Sequence, residues 1–365
     1  MKVALINLGV ADYTTALAGA LADRVDVTLV EPPSQAAPWR PVLSSRVRLI
    51  TSEMLRMRDP RSLFAASKLL ELSCSGGPDL LHIQDPVHPW FDIAAILRNL
   101  PPLIVTVHDA ARHPGENSTE WFTGRLRNVI LRRAEAVIVH CESQKRLLSS
   151  KWGIPRERTY VIPHGELGSL YENFPGKPTV TASKEPDAVL FFGRIVRYKG
   201  IDVLLAALKL VQEVRPTAKL ILAGCGERLD RYFPPGLCRA NIEIIDRFIP
   251  HPEVAALFRR AQIAVLPYLE ASQSGVASLA MGLGIPVIAS KVGGLAELIR
   301  DGEDGVLVAP GDHKSLAQAI LRLLHDGHLR ERLALAALTR CRKDLSWGEI
   351  ASQTVDLYRE VLRRC

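Results

Sequence analysis

The stretch Phe192-Gly193-Arg194-Ile195-Val196-Arg197-Tyr198-Lys199-Gly200-Ile201-Asp202 decides the fold. It follows the apolar run 188–192 and precedes apolar residues at helical spacing. It therefore reads as the turn from a buried parallel strand into a helix. A second stretch, from Pro267 to Gly311, repeats the arrangement through Gln273-Ser274-Gly275-Val276, Gly284-Ile285-Pro286-Val287 and Val292-Gly293-Gly294-Leu295-Ala296-Glu297. Turns of this kind gather exposed backbone N–H groups and helix N-termini, which bind anions and phosphate above all. Two of them in one domain, with Arg194 and Lys199 beside them, imply a diphosphate held between loops.

Outward from these turns, apolar runs alternate with helical patterns along the whole chain. In the first half the pattern predicts strands at 3–8, 25–30, 47–50, 79–83, 103–107, 136–140 and 160–163. Helices are expected at 12–22 (capped by Asp12 or Thr14), 63–72, 123–134 and 143–151. The segment 166–187 breaks the alternation with Gly168, Pro175, Gly176, Pro178 and Pro186, and reads as an interdomain connection. The second half predicts strands at 188–192, 219–223, 242–245, 263–266, 287–290 and 306–308. Its helices are expected at 201–214, 254–260, 276–281, 295–300, 313–325, 331–345 and 347–362. Strands that are apolar throughout, joined by helices, mean α/β: parallel sheets covered on both faces. Two doubly wound Rossmann-like domains facing a central cleft are expected, divided as 1–166 and 167–346.

A chain of 365 residues favours two cores. Its 47% hydrophobic and 23% charged residues are those of a globular protein, and no apolar run reaches the ~18 residues of a membrane span. The opening Met1-Lys2-Val3-Ala4-Leu5-Ile6-Asn7-Leu8-Gly9 reads as a buried first strand, because Asn7 and Asp12 interrupt it and Asp23, Asp26 and Glu31 follow. The six cysteines show no C-x-x-C and no clustering with histidine, so a reduced cytoplasmic protein with buried thiols is expected. The net charge of +7 is unevenly spread. Residues 40–70 and 121–160 carry net +5 and +6, whereas 71–120 carry −5. The basic runs read either as solvated helix faces or as a dock for an anionic partner, such as the inner membrane surface or a phosphorylated acceptor. Nucleic acid is not expected, since no recognition module is visible.

Gly193-Arg194 with Lys199-Gly200, Ala223-Gly224-Cys225-Gly226, Gly284-Ile285-Pro286-Val287 and Val292 through Glu297 resemble the C-terminal half of the retaining glycosyltransferases of family 4 (glycosyl transferases group 1), which have the GT-B fold. Asp301-Gly302-Glu303-Asp304-Gly305 and Pro310-Gly311-Asp312 continue the likeness. Pro78-Asp79-Leu80-Leu81-His82-Ile83, Val105-Thr106-Val107-His108-Asp109 and Val161-Ile162-Pro163-His164-Gly165 extend it more loosely into the first half. The resemblance implies a nucleotide diphosphate sugar bound by the C-terminal domain and an acceptor bound by the N-terminal one. The acceptor would be a glycan, a lipid-linked sugar or a small molecule. It also implies that the last helix, within 347–365, packs back on the N-terminal domain.

The same resemblance assigns Arg194 and Lys199 to the donor diphosphate, which suits a guanidinium fork and an ammonium point charge. The backbone N–H groups of Ser274, Gly275 and Val276 would join them at a helix start. His108, at the end of a strand, is expected at the transferred sugar or reaction centre, with a structural cap as its alternative. Glu270 is expected to face the sugar, with a plain surface acid as its alternative. Gly9, Asp12 and Tyr13 after the first strand, and His164 before Gly165, are candidate acceptor or sugar contacts; Asp12 as a helix cap and Gly165 as a hinge residue are the alternatives. His82 reads as a satisfied core histidine. The family commonly carries a second glutamate, facing the ribose, at the spacing that would make position 278 glutamate; here it is Ser278, and the loop resembles the branch with Gln-Ser-Gly-Val.

No Asp-x-Asp pair occurs, so no metal and no cofactor beyond the co-substrate are expected. Cationic groups and backbone donors would stabilise the departing diphosphate. Retention through two displacements requires a carboxylate nucleophile. None is evident, and front-face departure and attack fits better. A nucleotide-sugar 2-epimerase-like enzyme and a non-catalytic partner subunit of the same fold are the alternatives.

Overall fold

The computed structural model describes residues 1–56, 59–85, 88–110, 120–176 and 183–365, with the side chains of 120–123 excepted. Pro178 of the connection, and Arg58, Arg112 and Glu116 within the charge runs, lie outside the described residues.

The first sheet has seven parallel strands: β1 (Lys2–Asn7), β2 (Asp26–Glu31), β3 (Arg48–Thr51), β4 (Leu80–Gln84), β5 (Leu103–Thr106), β6 (Ala136–Val139) and β7 (Thr159–Val161). Their order is β3-β2-β1-β4-β5-β6-β7. Side chains sort by the two-residue period of a strand. Val3 and Leu5 of β1 face a layer with Tyr13, Leu17, Leu21, Ile350, Val355 and Tyr358. Ala4 and Ile6 face the other layer, with Leu69, Leu70 and Phe91. Both faces are thus covered, which is why these strands read as unbroken apolar runs. The last helix, Trp347–Arg364, supplies part of the first layer and so belongs to this unit.

The second sheet has six parallel strands: β8 (Ala188–Phe192), β9 (Lys219–Ala223), β10 (Ile242–Ile245), β11 (Ile263–Leu266), β12 (Val287–Ser290) and β13 (Val306–Val308). Their order is β10-β9-β8-β11-β12-β13. The two compact units exchange the chain between Gly165 and Glu166 and again between Asp344 and Leu345. In an open α/β sheet, ligands bind beyond the carboxyl ends of the strands where the strand order reverses. Those points lie between β1 and β4 in one unit and between β8 and β11 in the other.

Three helices escape the sequence pattern: Pro33–Trp39, Pro89–Ile96 and Gly168–Glu172. The first two begin on a proline, which reads as a turn yet suits the first helical position, where no N–H is needed. Neither Asp12 nor Thr14 caps the first helix, Ala11–Leu21; Val10 takes the N-cap position and the Thr14 hydroxyl donates to its carbonyl at 2.7 Å. The helix expected at 331–345 runs Gly327–Lys343, because Asp326 accepts the Leu329 N–H at 2.9 Å and restarts the chain after His313–His325. All six cysteines are free thiols, but Cys225, Cys238 and Cys365 are exposed, which corrects the expectation of burial. Among the described residues, no helix is long and apolar enough to cross a membrane.

Candidate functional site

In the second unit, the loops after β8 and β11 are neighbours at the reversal point. Gly193 ends β8 by donating its N–H to Ala223 O at 3.0 Å, and Ile195 pairs with Gly226. The chain then closes a single 3-10 turn at Arg197–Lys199 and enters the helix Ile201–Val214 through Gly200. Gly200 has φ +66°, and a Cβ there would stand 1.9 Å from Pro267 O. Gly293 has φ +42°, and its Cβ would stand 1.7 Å from Ala271 O. The 267–271 segment is therefore wedged between two backbones that only glycine lets approach.

That wedge brings the expected donor residues onto facing loops. Lys199 Nζ lies 3.7 Å from the centroid of the buried Tyr268 ring, a cation–π contact. Leu269 N–H donates to Tyr198 O at 2.8 Å. Arg194, exposed, donates to the Tyr198 hydroxyl at 3.3 Å. A Cβ on Gly193 would meet Val276 at 3.9 Å, so the β8 turn faces the start of the helix Gly275–Gly282. Ser274 caps that helix, its Oγ accepting the Ala277 N–H at 3.3 Å. Two cations and a helix N-terminus thus converge where an anion is favoured. Glu270 is exposed at the edge of this loop. Ser278, eight positions after Glu270, is fully buried and its hydroxyl has no protein partner; nor has the Gln273 Oε1.

In the first unit, the loop after β1 is shaped by Asn7. Its Oδ1 accepts the N–H groups of Gly9 and Val10 at 3.1 and 2.9 Å, and its Nδ2 donates to Glu31 Oε2 at 2.6 Å. Burial pushes the Glu31 carboxyl up, and the Asn7 bond opposes that. Gly9 is exposed and Asp12 half-buried. Tyr13, in contrast, is a core ring, 2% exposed, with ring centroids of His108, His140, His164 and Trp347 at 4.6, 5.1, 5.0 and 5.1 Å. Its surface is spent on packing. Burial raises its phenol pKa.

His108 follows β5 and is buried. Its Nδ1 lies 3.1 Å from His140 Nε2, and its Nε2 lies 3.3 Å from the Gln84 carboxamide. Burial holds its pKa well below the ordinary value, with His140, His164, His82 and Arg127 acting in the same direction. His164 Nδ1 donates to Gly165 O at 2.7 Å; burial lowers its pKa against the pull of that carbonyl and of Asp12. His82 is a satisfied core histidine, bonded to the Tyr358 hydroxyl at 2.6 Å and the Thr106 hydroxyl at 2.7 Å. The sequence reading missed His140, Gln84, Gln144 and Tyr358. His140 carries the same signal as His108, a histidine ending an apolar strand, and could have been found by it.

The basic run 121–160 is not a plain solvated face. Arg127 pairs with Asp85 at 2.8 Å and donates to Asp109 O at 2.7 Å. Arg133 donates to Ala95 O at 2.6 Å and Ile96 O at 3.1 Å, and Arg158 to Arg132 O and Ala134 O. These guanidinium groups tie helix ends and loops inside the unit. In the 40–70 run, Arg46 pairs with Asp23 and Arg61 with Asp59, while Arg56 and Lys68 are exposed.

Comparison with known proteins agrees with this architecture. Residues 8–165 match the family described as Glycosyltransferase Family 4, and residues 186–326 match Glycosyl transferases group 1. The chain belongs to this family of GT-B glycosyltransferases, which act with nucleotide sugars. It is 28% identical over 305 residues to a glycogen synthase of Mycobacterium tuberculosis, covering 80% of this chain and 71% of that one. It is 29% identical over 286 residues to a D-inositol 3-phosphate glycosyltransferase of Xylanimonas cellulosilytica, covering 72% and 67%. HepE of Anabaena, solved in complex with UDP and glucose, shares the fold with a TM-score of 0.77 at 19% identity, over 99% of this chain and 100% of that one.

Proposed function

We propose that this chain transfers a sugar from a nucleotide diphosphate sugar to an acceptor hydroxyl, with retention of anomeric configuration and without a metal. The observation that carries the reading is the convergence of Arg194, Lys199 and the Gly275–Gly282 helix start at the β8/β11 reversal. Cations and backbone dipoles there would hold the diphosphate and stabilise its negative charge as the glycosidic bond breaks. This supplies the charge neutralisation that a metal would otherwise bring. The complex of HepE with UDP and glucose supports a nucleotide donor for this architecture.

Retention is what the likeness to the family implies, and front-face attack suits it because no carboxylate stands out as the nucleophile of a double displacement. Between Ala271 and Asp301 the sole carboxylate is Glu297, and Glu270 lies at the exposed loop edge. The leaving phosphate oxygen would take the acceptor proton as the new bond forms on the face it vacates. His108 is read as the reaction-centre residue of the first unit, with Gly9 and Asp12 on the acceptor side. The acceptor is a polyhydroxylated molecule, whether glycan, lipid-linked sugar or small polyol; the relatives named for glycogen and for D-inositol 3-phosphate support that range. We place the reaction in the cytoplasm, with a peripheral contact at the inner membrane face through Phe64 and Leu97, 78% and 74% exposed beside Lys68 and Arg98 in sequence.

The test is a panel of nucleotide sugars with candidate acceptors, with and without EDTA, and the product anomer read by NMR. An anomer matching the donor, formed equally in EDTA, is expected. Inversion refutes retention, loss in EDTA with rescue by Mg²⁺ refutes metal independence, and conversion of donor alone to its epimer favours the epimerase alternative.

A further inference from the structure

The first unit carries a continuous buried polar chain that the reading of His108 does not use. It runs from Tyr358 of the last helix through His82 and Gln84 of β4 to His108 after β5, then to His140 after β6, and ends on the Ile162 carbonyl after β7. The contacts are 2.6 Å from Tyr358 Oη to His82 Nδ1, 3.1 Å from His82 Nε2 to the Gln84 amide, and 3.3 Å from Gln84 to His108 Nε2. The next are 3.1 Å from His108 Nδ1 to His140 Nε2 and 3.0 Å from His140 Nδ1 to Ile162 O. Gln144 clamps the two backbones, accepting the His140 N–H at 2.9 Å and donating to the His108 carbonyl.

The Ile162 end sets where the protons of His140 and His108 sit. A carbonyl can only accept, so His140 Nδ1 carries a hydrogen. Burial keeps His140 neutral at ordinary pH, its pKa lowered to about 3. A neutral imidazole donates from one nitrogen and accepts at the other, so His140 Nε2 is an acceptor. His108 must then donate from Nδ1, and its own Nε2 becomes an acceptor. As placed, the Gln84 oxygen faces His108 and its nitrogen faces His82. The chain closes when the carboxamide is turned, its NH₂ to His108 Nε2 and its oxygen to His82 Nε2–H, a hydrogen shared with the Thr106 hydroxyl at 2.7 Å, and Tyr358 donates to His82 Nδ1. Oxygen and nitrogen of a carboxamide are interchangeable in shape, and the network decides between them. The opposite orientation would set two acceptor nitrogens, those of His108 and His140, against each other at 3.1 Å.

We infer that His140 is a positioning residue that fixes His108 as its Nδ1–H tautomer, with the Ile162 carbonyl as the anchor. The Nε2 lone pair of His108 is thereby kept as an acceptor, held only by the long contact to Gln84 and available to a sugar hydroxyl that displaces the amide. His108 takes no proton from the acceptor and gives none to the leaving group; it orients and accepts. This rests on the reading of His108 as a reaction-centre residue.

The experiment uses the full chain labelled with ¹⁵N at histidine and long-range ¹H–¹⁵N correlation of the imidazole rings, assigned with His108→Ala and His140→Phe. In the wild type, His108 and His140 should both show protonated Nδ1 and bare Nε2. His140→Phe should move the His108 proton to Nε2 and lower kcat roughly tenfold with donor KM unchanged, the size of losing one oriented hydrogen bond. His140→Gln, whose Oε1 can accept from His108 Nδ1–H, should restore both the tautomer and most of kcat. A wild-type His108 protonated on Nε2 overturns the inference whatever the kinetics, and it needs no variant to fold. A moved proton with unchanged kcat overturns the positioning role. Undiminished transfer by His108→Ala instead denies His108 a place in the reaction, a failure of the underlying reading that leaves the tautomer result standing.

Discussion

Lys199 Nζ stands 3.7 Å from the centre of the Tyr268 ring, across the two loops that flank the β8/β11 reversal. The ring is fully buried and gives the flexible ammonium a fixed platform. A cation held over an aromatic face keeps its charge while its freedom is reduced, so less entropy is lost when a phosphate arrives.

Lys199→Ala and Arg194→Ala are each expected to lower kcat/KM for the donor by on the order of 10²-fold, the usual loss for one donor to a departing anion. Tyr268→Phe keeps the ring and should act nearly as the wild type, whereas Tyr268→Leu removes the platform and should raise donor KM. Steady-state kinetics on the four variants checks this. Wild-type turnover in both cation variants would remove them from the donor site.

Gly200→Ala and Gly293→Ala should displace the 267–271 segment from between the two turns. Both positions have positive φ, and both lack room for a methyl group against a carbonyl oxygen. The expected outcome is a lower Tm and loss of the thermal shift given by a nucleoside diphosphate. Gly302→Ala shares the positive φ but has open space around it, and should keep that ligand response.

Acid stability should depend on a charge cluster at the other end of the same sheet. Arg260 donates to Glu185 and Glu243, and Lys219 pairs with both. The Arg260 bond, with Lys219, holds Glu243 down at about 2, from an ordinary 4.5. A carboxyl with a depressed folded pKa binds fewer protons folded than unfolded. Its stabilisation is therefore complete above about 4.5 and is lost as pH falls from there toward 2. Glu243→Gln should lower Tm at pH 7 and flatten the Tm profile over that window. A parallel profile would show that the pair contributes nothing, as partly exposed pairs often do.

Much of the fold was legible because the inner strands are buried, so most of the thirteen strands among the described residues announce themselves as apolar runs; the edge strands β3 and β10 hold no fully buried residue. The facing loops after β8 and β11 were legible for a related reason. Gly193, Gly200 and Gly293 serve backbone geometry, and Arg194 and Lys199 stand next to them in sequence. What stayed hidden depends on distant partners. His82, Gln84, His108, His140 and Tyr358 come from three strands or strand ends and a helix, and sequence spacing carries no trace of their chain of bonds. Tyr13 read as a surface contact because it follows a strand end; only the packing of Trp347 and three histidines makes it core. The helix at Pro89–Ile96 was masked by its own starting proline.

Charge alone also misread the arginines at 121–160, and that yields a separable prediction. Arg133 satisfies the carbonyls of Ala95, Ile96 and Arg98 where the Pro89–Ile96 helix ends. Arg133→Gln should therefore cost roughly 1–3 kcal/mol, the value of charge-assisted bonds to otherwise unpaired acceptors. Arg56 and Lys68 are exposed on the run that also carries Phe64, and they test the proposed contact with an anionic surface. Changing Arg56 and Lys68 together to Gln should leave stability within about 0.5 kcal/mol, as surface changes do. It should also weaken cosedimentation with vesicles containing anionic phospholipid. The effect should be large at low salt and small near physiological ionic strength, where the Debye length is about 8 Å. Donor affinity should not change, because neither residue lies in the unit that carries Arg194 and Lys199. Equal binding of wild type and double variant at every salt concentration would leave these cations as a solvated face, and the acceptor would then be sought among soluble molecules.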